Sequence, residues 1–485
     1  MTPLPTHDAP VIADGSGLEP LQSLLGPKGF CNSVDAMAPW LTDWRGKYHG
    51  RAAALLSPAT VEEVQYILRF ANAHRIALVP QGGNSGMVAG ATPDESGTSL
   101  ILSLRRMNRI RAIDSGARQV VAEAGVILQH LHEAVAEEGL RFPLTLGGKG
   151  SATVGGLVST NAGGTQVLRH GPMRSLVLGL EAVLPDGSLH SSLAALRKDN
   201  RGYNLDQLLI GAEGTLGIVT AATLKLVPAI SARHVVWAAT DSPHQALAAL
   251  RRLEALLGDA VEGFEIIPGS ALATVVAHIS AAQAPLAPHY AWHILVEAVE
   301  SGGTARPIAS ALETGLAALI EEGVLRDAVI AKNEREADAM WRLRDSVSES
   351  ERALGPALQH DISVPVERMP DFLTQDATVI AAQFPGVTMM GFGHLGDGNI
   401  HLHAKPPRDA QDRGAAWLAA HGEAVSKAIY GRVIAAGGSI SAEHGIGRAK
   451  RAYFHALDDP ARIAALRAIK QALDPNAILN PGVLV

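Results

Sequence analysis

A glycine-rich stretch in the first half of the chain constrains the fold more than any other feature. Residues 145–165 read TLGGKGSATVGGLVSTNAGGT and contain seven glycines. Glycine has no Cβ, so this backbone adopts positive φ angles, lets another molecule approach closely and offers N–H groups that suit a phosphate or another anion. A second such stretch, PQGGNSG, occupies residues 80–86. Either stretch alone is more simply explained as a tight turn between buried strands, but the two together predict a large phosphate-bearing cofactor.

Length and composition limit the classes of protein to consider. A chain of 485 residues is too long for one hydrophobic core, so two or three domains are expected. The net charge of −7 gives no indication of binding to nucleic acid or an anionic membrane. The single cysteine, Cys31, excludes an internal disulfide and a cysteine-based metal cluster. We expect neither a signal peptide nor a membrane span, and therefore a cytoplasmic location.

Hydrophobic periodicity and turn residues predict a mixed arrangement of helices and strands. In the first half we predict a helix from Val61, a hairpin over 176–189 and a third glycine-rich turn over 211–217, followed by a strand over 218–227. Further strands are predicted over 76–79, 100–104, 120–122, 293–299, 361–366 and 387–390, and helices over 125–139, 331–352 and 460–473. The composition changes after about residue 230, where helices rich in alanine and leucine alternate with strands.

A histidine-rich segment carries the strongest chemical signal. Residues 391–403 read GFGHLGDGNIHLH, which formally contains GxGxxG. That dinucleotide fingerprint must open a helix, whereas a turn and an alternating strand follow here, so a Rossmann fold is not favoured. Strand alternation puts His401 and His403 on one face, and His394 lies just across the turn. The segment SISAEHGIG over 439–447 adds Glu443 and His444 side by side.

Two interpretations of these polar residues remain open at this point. Two histidines and a carboxylate form a standard set for a divalent metal such as zinc. A single buried histidine is more simply explained by a polar network without an ion, but the cluster as a whole favours a metal. Arg342 and Arg344 lie on the charged helix predicted over 331–352. By spacing they belong to a solvated face with partners one turn away, whereas an arginine turned inward would clamp a carboxylate through two hydrogen bonds.

Together these segments resemble the FAD-dependent D-2-hydroxyacid dehydrogenases of the vanillyl-alcohol oxidase superfamily. Within that group the chain is most similar to the D-2-hydroxyglutarate and D-lactate dehydrogenase branch. The resemblance runs from about residue 40 to the C-terminus. Its most specific segments, in chain order, are PQGGNSG, GSATVGGLVSTNAGG, GAEGTLGIVT, GHLGDGNIHLH, SAEHGIG and LDPNAILNP.

The resemblance implies an α+β fold with four parts. After an N-terminal lead-in over 1–45, a two-lobed FAD-binding domain of the PCMH (p-cresol methylhydroxylase) type is expected over 46–229. A substrate-binding (cap) domain of the FAD-linked oxidase C-terminal type, with an antiparallel sheet and helices, is expected over 230–450. A C-terminal helical segment over 451–485 would return to the flavin.

The resemblance also implies which residues contact FAD. These are Gln81, Gly82, Gly83, Asn84, Ser85, Gly86, Pro143, Thr153, Gly155, Gly156, Asn161, Gly163, Glu213, Ile218 and Asn480. Relatives that attach the flavin covalently often use a histidine in the first glycine loop. This chain has Asn84 in that loop, so we expect non-covalent FAD.

The same resemblance assigns roles around the substrate. His394, His401 and Glu443 would bind a divalent metal, with zinc the expected ion, and His444 would also contact the substrate as the base. The metal would lower the pKa of the substrate hydroxyl, His444 would take its proton, and the α-hydrogen would leave as hydride to flavin N5. Arg344 would hold the substrate carboxylate. Further substrate contacts are implied for Ser348, Gln359 and His403.

Three substrate-side positions depart from the D-2-hydroxyglutarate dehydrogenase pattern. Ser348 stands where threonine is expected, Gln359 where lysine is expected, and His403 where asparagine is expected. Loss of the lysine removes a cation from the distal carboxylate site. The resemblance implies oxidation of a D-2-hydroxy acid of the D-2-hydroxyglutarate, D-malate or D-lactate class to the 2-oxo acid, by an enzyme of the EC 1.1.99 type. The loss of the cation argues against D-2-hydroxyglutarate and favours D-malate, D-lactate or a longer apolar D-2-hydroxy acid.

The sequence does not single out one electron acceptor, and it leaves competing functions to consider. An electron-transfer flavoprotein, a cytochrome or a quinone would each fit as acceptor, and a homodimer is compatible with the sequence. Alternatives are a flavin oxidase or an alkyl-glycerone-phosphate-synthase-like enzyme on the same scaffold, or a non-catalytic metal- or nucleotide-binding protein. A base beside a full set of metal ligands argues against the non-catalytic alternative, because a binding module has no need of it.

Overall fold

The computed structural model describes residues 17–287, 289–301, 308–408 and 413–485. Contacts between Cα atoms divide the chain into two compact units. The first unit comprises the residues up to Gly164, Gly171–Val227 and Glu443–Val485. The second comprises Thr165–His170 and Pro228–Ala442.

The part of the chain up to residue 228 alternates short helices and strands. Its helices are α1 (Glu19–Gly29), α2 (Val34–Met37), α3 (Val61–His74), α4 (Leu128–Ala136), α5 (Val154–Thr160), α6 (Val167–His170), α7 (Met173–Leu176) and α8 (Leu205–Leu209). Its strands are β1 (Phe30–Cys31), β2 (Ala54–Leu56), β3 (Leu78–Gln81), β4 (Leu100–Ser103), β5 (Ile110–Asp114), β6 (Gln119–Glu123), β7 (Leu140–Arg141), β8 (Val177–Val183), β9 (Leu189–Ser191), β10 (Ile218–Lys225) and β11 (Val227–Pro228).

Two sheets form the two lobes of the first unit. In the described residues, the first sheet has the order β1-β2-β4-β3, and β2, β4 and β3 run parallel. The second has the order β5-β6-β10-β8-β9 and is antiparallel throughout. The hairpin predicted over 176–189 is confirmed as β8 and β9.

Helix α3 shows how the sequence specifies the first lobe. The side chain of Thr60 accepts a hydrogen bond from the backbone N–H of Glu63 (3.2 Å) and caps the helix start. Val64 and Ile67 lie on one face and are fully buried in the core of the first sheet. Arg75 then takes a left-handed conformation (φ 53°) and ends the helix. The predicted helix from Val61 is therefore confirmed.

The second unit is built on one large sheet. Its strands are β12 (Ile230–Thr240), β13 (Val261–Pro268), β14 (Trp292–Ser301), β15 (Asp327–Ile330), β16 (Leu358–Ser363), β17 (Thr388–His394) and β18 (Asn399–Lys405). Its helices are α9 (Pro243–Leu257), α10 (Gly269–His278), α11 (Ile308–Glu321), α12 (Glu334–Asp345), α13 (Val347–Arg352), α14 (Met369–Asp371), α15 (Ala377–Gln383) and α16 (Gly414–Ala435). In the described residues the sheet order is β15-β12-β14-β13-β17-β18-β16, and every pairing is antiparallel.

The prediction of one charged helix over 331–352 is wrong in two respects, because the helix starts later and is divided into two. It begins only at Glu334, because Asn333 caps it by accepting a hydrogen bond from the backbone N–H of Glu336 (3.1 Å). It also breaks at Ser346, which separates α12 from α13. The break matters because Arg344 lies in the last turn of α12.

The chain ends with α17 (Arg451–Leu457) and α18 (Pro460–Leu473), so the predicted final helix is confirmed. The tail that follows α18 returns to the first sheet, where the N–H of Leu78 donates to Ile478 O (2.7 Å). Among the described residues, no helix combines the length and the apolar character that crossing a bilayer requires. The helices and sheets together confirm the α+β class.

Candidate active site

The two glycine-rich stretches pack directly against each other in the first unit. A Cβ on Gly82 would lie 2.5 Å from Thr153 Oγ1, and a Cβ on Gly83 would lie 1.7 Å from Ser151 O. Thr153 also caps α5 by accepting a hydrogen bond from the backbone N–H of Gly156 (3.4 Å). These glycines are therefore required by the close approach of two backbone segments.

Two buried amide side chains near the first loop each keep one unsatisfied oxygen. Gln81 donates from Nε2 to Ala91 O (2.8 Å), and Asn480 donates from Nδ2 to Gly90 O (2.9 Å). Within the described part of the chain, Gln81 Oε1 and Asn480 Oδ1 are buried and have no hydrogen-bond partner. Buried acceptors of this kind are uncommon in native proteins, so they fit a cofactor that donates hydrogen bonds.

Other residues implied as flavin contacts have structural partners in the first unit. Asn84 has a positive φ of 49° and donates from Nδ2 to Thr42 O (2.8 Å). Asn161 ends α5 in a left-handed conformation (φ 50°) and accepts a hydrogen bond from the backbone N–H of Arg174 (2.8 Å). Ile218 begins β10 and is buried in the hydrophobic core of the first sheet.

The segment that carries Glu443 and His444 also belongs to the first unit. Both side chains are half-buried. The segment is held by the carboxylate of Glu213, which accepts hydrogen bonds from the backbone N–H groups of Ile446 and Gly447 (both 2.8 Å). Glu213 itself is buried.

In the second unit, one face of the sheet carries a row of polar side chains. Cross-strand partners in an antiparallel sheet point to the same face. Glu265 on β13 lies opposite His394 on β17. On the neighbouring strands, Asp361 lies opposite His401. The prediction that a turn leads from His394 into a histidine-bearing strand is confirmed, because β17 ends at His394 and β18 begins at Asn399.

Glu265 links His394 to Arg344. Its Oε1 hydrogen-bonds to His394 Nδ1, and its Oε2 accepts from Arg344 Nε at 2.7 Å. Arg344 Nη2 lies 3.2 Å from His394 Nε2. Burial would raise the pKa of Glu265, but the charge of Arg344 and the hydrogen bonds from Arg344 and His394 outweigh it and lower this pKa to about 2. Arg344 is thus turned inward, while Arg342 is exposed.

His401 lies beside this group. Its ring centroid is 5.4 Å from that of His394, and its Nδ1 is 4.0 Å from Asp361 Oδ1. Asp361 is buried and fixed by Asn399, whose Nδ2 donates to Asp361 Oδ1 (2.9 Å). The two imidazoles are therefore neighbours on one sheet face, each with a carboxylate on its Nδ1 side.

Of the other residues predicted to contact the substrate, His403 binds a second buried carboxylate, Glu351. His403 Nδ1 hydrogen-bonds to Glu351 Oε2 on α13, and Lys405 Nζ pairs with Glu351 Oε1 at 2.6 Å. Burial alone would raise the pKa of Glu351. The contacts with His403 and Lys405 lower this pKa by a larger amount, so the net shift is downward. Gln359 lies opposite His403 in the strand register and is exposed. Ser348 is half-buried on α13, three residues before Glu351.

The sequence-based reasoning missed Glu265 and Glu351. Glu265 is 1% exposed and stands in a strand that is apolar apart from this residue and Glu262. A carboxylate in such a run is almost never buried without a partner, so its position was the available signal. Glu351 is 2% exposed and ends a charged helix, where nothing in the local sequence separates it from the exposed Glu349.

The histidine pair has the donor chemistry that a divalent metal requires. Metal-binding histidines usually direct their second ring nitrogen to a carboxylate, which fixes the tautomer. The Glu265 contact favours a proton on His394 Nδ1 and leaves a lone pair on Nε2, the form that binds a metal. In this structure that lone pair faces the guanidinium of Arg344. The carboxylate on the Nδ1 side of each histidine is the feature that fits an ion held by imidazole nitrogens.

Comparisons with known proteins agree with this picture. Residues 52–192 match the family model described as FAD binding domain, and residues 230–484 match FAD linked oxidases, C-terminal domain. The chain is 36% identical to D-2-hydroxyglutarate dehydrogenase of Xanthomonas citri pv. viticola, covering 91% of each chain. It is 34% identical to mitochondrial D-2-hydroxyglutarate dehydrogenase of Arabidopsis thaliana, covering 96% of this chain and 81% of the relative.

A solved structure shares the fold at low identity. The alkyldihydroxyacetonephosphate synthase matches with a TM-score of 0.70 and 14% identity, covering 96% of this chain and 84% of that chain. Identity at this level supports the fold alone, which is the two-lobed flavin-binding type expected from the sequence.

Proposed function

The chain belongs to the family of FAD-linked oxidases, and we propose that this oxidoreductase converts a D-2-hydroxy acid to the 2-oxo acid. Two relatives named D-2-hydroxyglutarate dehydrogenase align with more than nine-tenths of the chain. A further relative, from Schizosaccharomyces pombe, is named a putative D-lactate dehydrogenase and is 33% identical. The names of these relatives support the stereochemistry and the class of substrate. Electrons would pass to an external acceptor.

FAD would occupy the first unit. The unsatisfied buried oxygens of Gln81 and Asn480 support a cofactor there. Bound FAD would supply the acceptor for the hydride that leaves the substrate. No histidine lies in the first glycine loop, where Asn84 bonds to Thr42, so we propose that the flavin is held without a covalent bond.

A divalent metal, with zinc the first candidate, would be held by His394, His401 and Glu443. The observation that carries this proposal is the contact of Glu265 with His394 Nδ1 beside His401. Glu443 is assigned from its motif, SAEHGIG. A bound metal would supply a Lewis acid that makes the substrate hydroxyl easier to deprotonate.

The remaining steps are assigned to side chains of this chain. Arg344 would bind the substrate carboxylate, because its guanidinium is half-buried and already oriented by Glu265. His444 would take the proton from the substrate hydroxyl, a role for which an imidazole suits neutral pH. Its neighbour Glu443 would remain on the metal, so the ligand and the base come from adjacent residues.

The distal part of the substrate would face Gln359, His403 and Ser348. Lys405, the cation nearest to this row in β18, is already paired with the buried Glu351. Gln359 supplies an uncharged amide. This corner therefore offers little net positive charge for a second carboxylate, which favours D-lactate or a longer apolar D-2-hydroxy acid over the dicarboxylates D-malate and D-2-hydroxyglutarate.

The same proposal assigns a role to each compact unit and bears on the electron acceptor and the cellular location. The first compact unit would be the FAD domain with its C-terminal return, and the second unit would bind the substrate. The acceptor would be an electron-transfer flavoprotein, a cytochrome or a quinone. A cytoplasmic location remains a prediction, since the relative from Arabidopsis thaliana is named mitochondrial.

Steady-state oxidation with an artificial electron-accepting dye tests this function. The purified protein is assayed with D- and L-isomers of lactate, malate, 2-hydroxyglutarate and a longer 2-hydroxy acid. We expect turnover with D-isomers only, loss of turnover after chelation, and recovery with Zn²⁺. Turnover that favours L-isomers, or that is unchanged in the chelated protein, would contradict the proposal.

A further inference from the structure

A buried carboxylate in the first unit organises the segment that carries Glu443 and His444. Glu213 is 8% exposed. Its Oε1 accepts from the N–H of Ile446 and its Oε2 from the N–H of Gly447, both at 2.8 Å. Each carboxylate oxygen is therefore bonded to a backbone group two or three residues after His444. One side chain thus accepts from two consecutive backbone N–H groups.

The segment passes so close to its neighbours that only glycine fits at two positions. Gly445 has a φ of +80°, and a Cβ there would lie 2.9 Å from Glu213 Oε1. Gly447 has a φ of +53°, and a Cβ there would lie 2.1 Å from Val88 O. The backbone is thus held between the Glu213 carboxylate and the backbone of Val88. Both glycines take conformations that other residues rarely adopt.

The backbone of Glu213 is itself held by hydrogen bonds to other residues. Its N–H donates to Ser159 O (2.7 Å), and its carbonyl accepts from Asn480 Nδ2 (2.8 Å). Its φ is +52°, an unusual value for a residue with a side chain. A conformation of this kind persists only where the surroundings determine it strongly. The carboxylate is therefore presented at one fixed place.

We propose that Glu213 is a positioning residue that fixes the 443–447 segment, so that Glu443 and His444 present their side chains in one arrangement. This inference rests on the proposed function for the roles of those two residues. It differs from the expectation that Glu213 contacts the flavin, because both carboxylate oxygens already bond to the segment. A displacement of about 1 Å at a reacting group can reduce a rate roughly 100-fold, so the position of this segment affects turnover directly.

The substitution Glu213→Gln tests the proposal in the holoenzyme. The amide keeps the size of the side chain but offers one acceptor, and its NH₂ group faces a backbone N–H. We expect kcat to fall about 10- to 100-fold with KM changed less than about threefold, at saturating FAD and metal. FAD affinity should remain within about twofold of the original. Hydrogen exchange at Ile446 and Gly447 should accelerate at least about tenfold, since their acceptors are weakened.

A matched control separates positioning from general destabilisation. Glu181 in the same unit is also 8% exposed and bonds to Arg111 and Thr220. Glu181→Gln should leave kcat and exchange at 446 and 447 unchanged. Gly445→Ala should reproduce the loss of kcat, because its Cβ would push against Glu213 Oε1, and the two effects should not add in the double variant.

The experiment distinguishes failure of the positioning role of Glu213 from failure of the proposed function. Reduced FAD affinity with normal kcat at saturating FAD would overturn the positioning role and return Glu213 to the flavin. Unchanged exchange at 446 and 447, or an equal loss of kcat in Glu181→Gln, would also overturn it. If the original protein oxidises no D-2-hydroxy acid, the proposed function fails, whereas faster exchange in Glu213→Gln would still support the tether.

Discussion

Glu265 and His394 lie directly opposite each other on the adjacent antiparallel strands β13 and β17, and the carboxylate of Glu265 hydrogen-bonds to Nδ1 of His394. The second oxygen of the same carboxylate binds Arg344. One buried residue thus orients both a proposed metal ligand and the proposed substrate clamp. Neither orientation follows from the histidine motif alone, because Glu265 lies 129 residues away in the chain.

Replacement of Glu265 by glutamine should weaken metal binding. The amide can still accept from His394, but it carries no charge to make the imidazole a better ligand or to balance Arg344. We expect the affinity for Zn²⁺, measured by chelator competition, to fall about 10- to 100-fold. The control Glu262→Gln, on the same strand and bonded to Arg169, should retain metal. Equal affinity in both variants would contradict the role of Glu265.

Removal of the proposed base should slow turnover without loss of flavin. A general base typically contributes about 10²–10⁴-fold to the rate, so His444→Ala should reduce kcat at least about 100-fold. The exposed His421, which stacks on Trp417 in α16, offers a control, and His421→Ala should keep normal turnover. Near-normal kcat in His444→Ala would reject the assignment.

A lysine at position 359 should improve activity on dicarboxylates. Gln359 lies opposite His403, and a cation there would attract a distal carboxylate. We expect Gln359→Lys to raise kcat/KM for D-2-hydroxyglutarate about tenfold relative to D-lactate. This is the effect of one additional hydrogen bond between charged groups. Gln383→Lys, at an exposed site on α15, controls for the added charge. No change in the ratio would mean that residue 359 does not face the substrate.

The flavin should be released by acid. Asn84 is the residue in the first glycine loop where covalent relatives often carry histidine, and its amide already bonds to Thr42. We expect trichloroacetic acid precipitation to leave the yellow colour in the supernatant. A yellow pellet, with flavin fluorescence on the denatured band in a gel, would show a covalent bond and contradict the prediction.

His293 should make the protein sensitive to mild acid. Its side chain is fully buried on β14, and Nδ1 accepts from Trp237 Nε1 (3.1 Å). Burial lowers the pKa of His293 to about 4. The unfolded chain protonates this histidine near its ordinary pKa of about 6.5, so its contribution to stability is complete above pH 6.5 and is lost as the pH falls towards 4.

The variant His293→Asn isolates this contribution. Its side-chain oxygen can accept from Trp237 in place of Nδ1, and it does not titrate. Between pH 7 and pH 5 the original protein should lose about 2 kcal/mol more unfolding free energy than the variant. Urea unfolding followed by tryptophan fluorescence measures the difference. Parallel losses in the two proteins would show that His293 does not carry the pH dependence.

The sequence predicts the local elements better than the contacts between distant ones. The helix from Val61 and the β8–β9 hairpin carry their own caps and turns, so both were predictable. The strand predicted over 76–79 instead runs over Leu78–Gln81, because the N–H of Ile76 still bonds back to Ala71 O after the end of α3. Strand pairing with β4 begins only at Leu78.

The candidate site was predictable as a set of residue types but not as a network. His394, His401 and Arg344 stand in recognisable segments, and the structure brings these three together on one sheet face. Glu265, which contacts His394 and Arg344, and Glu351, which contacts His403, lie in unrelated segments. Their function depends on the register of β13 and on the packing of α13, and neither is encoded by a local motif.

The most direct test of the account is an anaerobic visible spectrum of the purified protein, recorded before and after addition of each D- and L-2-hydroxy acid. We predict an oxidised flavin spectrum that is bleached by a D-isomer and not by its L-isomer, with the fastest acid identifying the preferred substrate. A protein that contains no flavin, and takes up none when FAD is added, would contradict the central claim and leave the glycine-rich loops as tight turns.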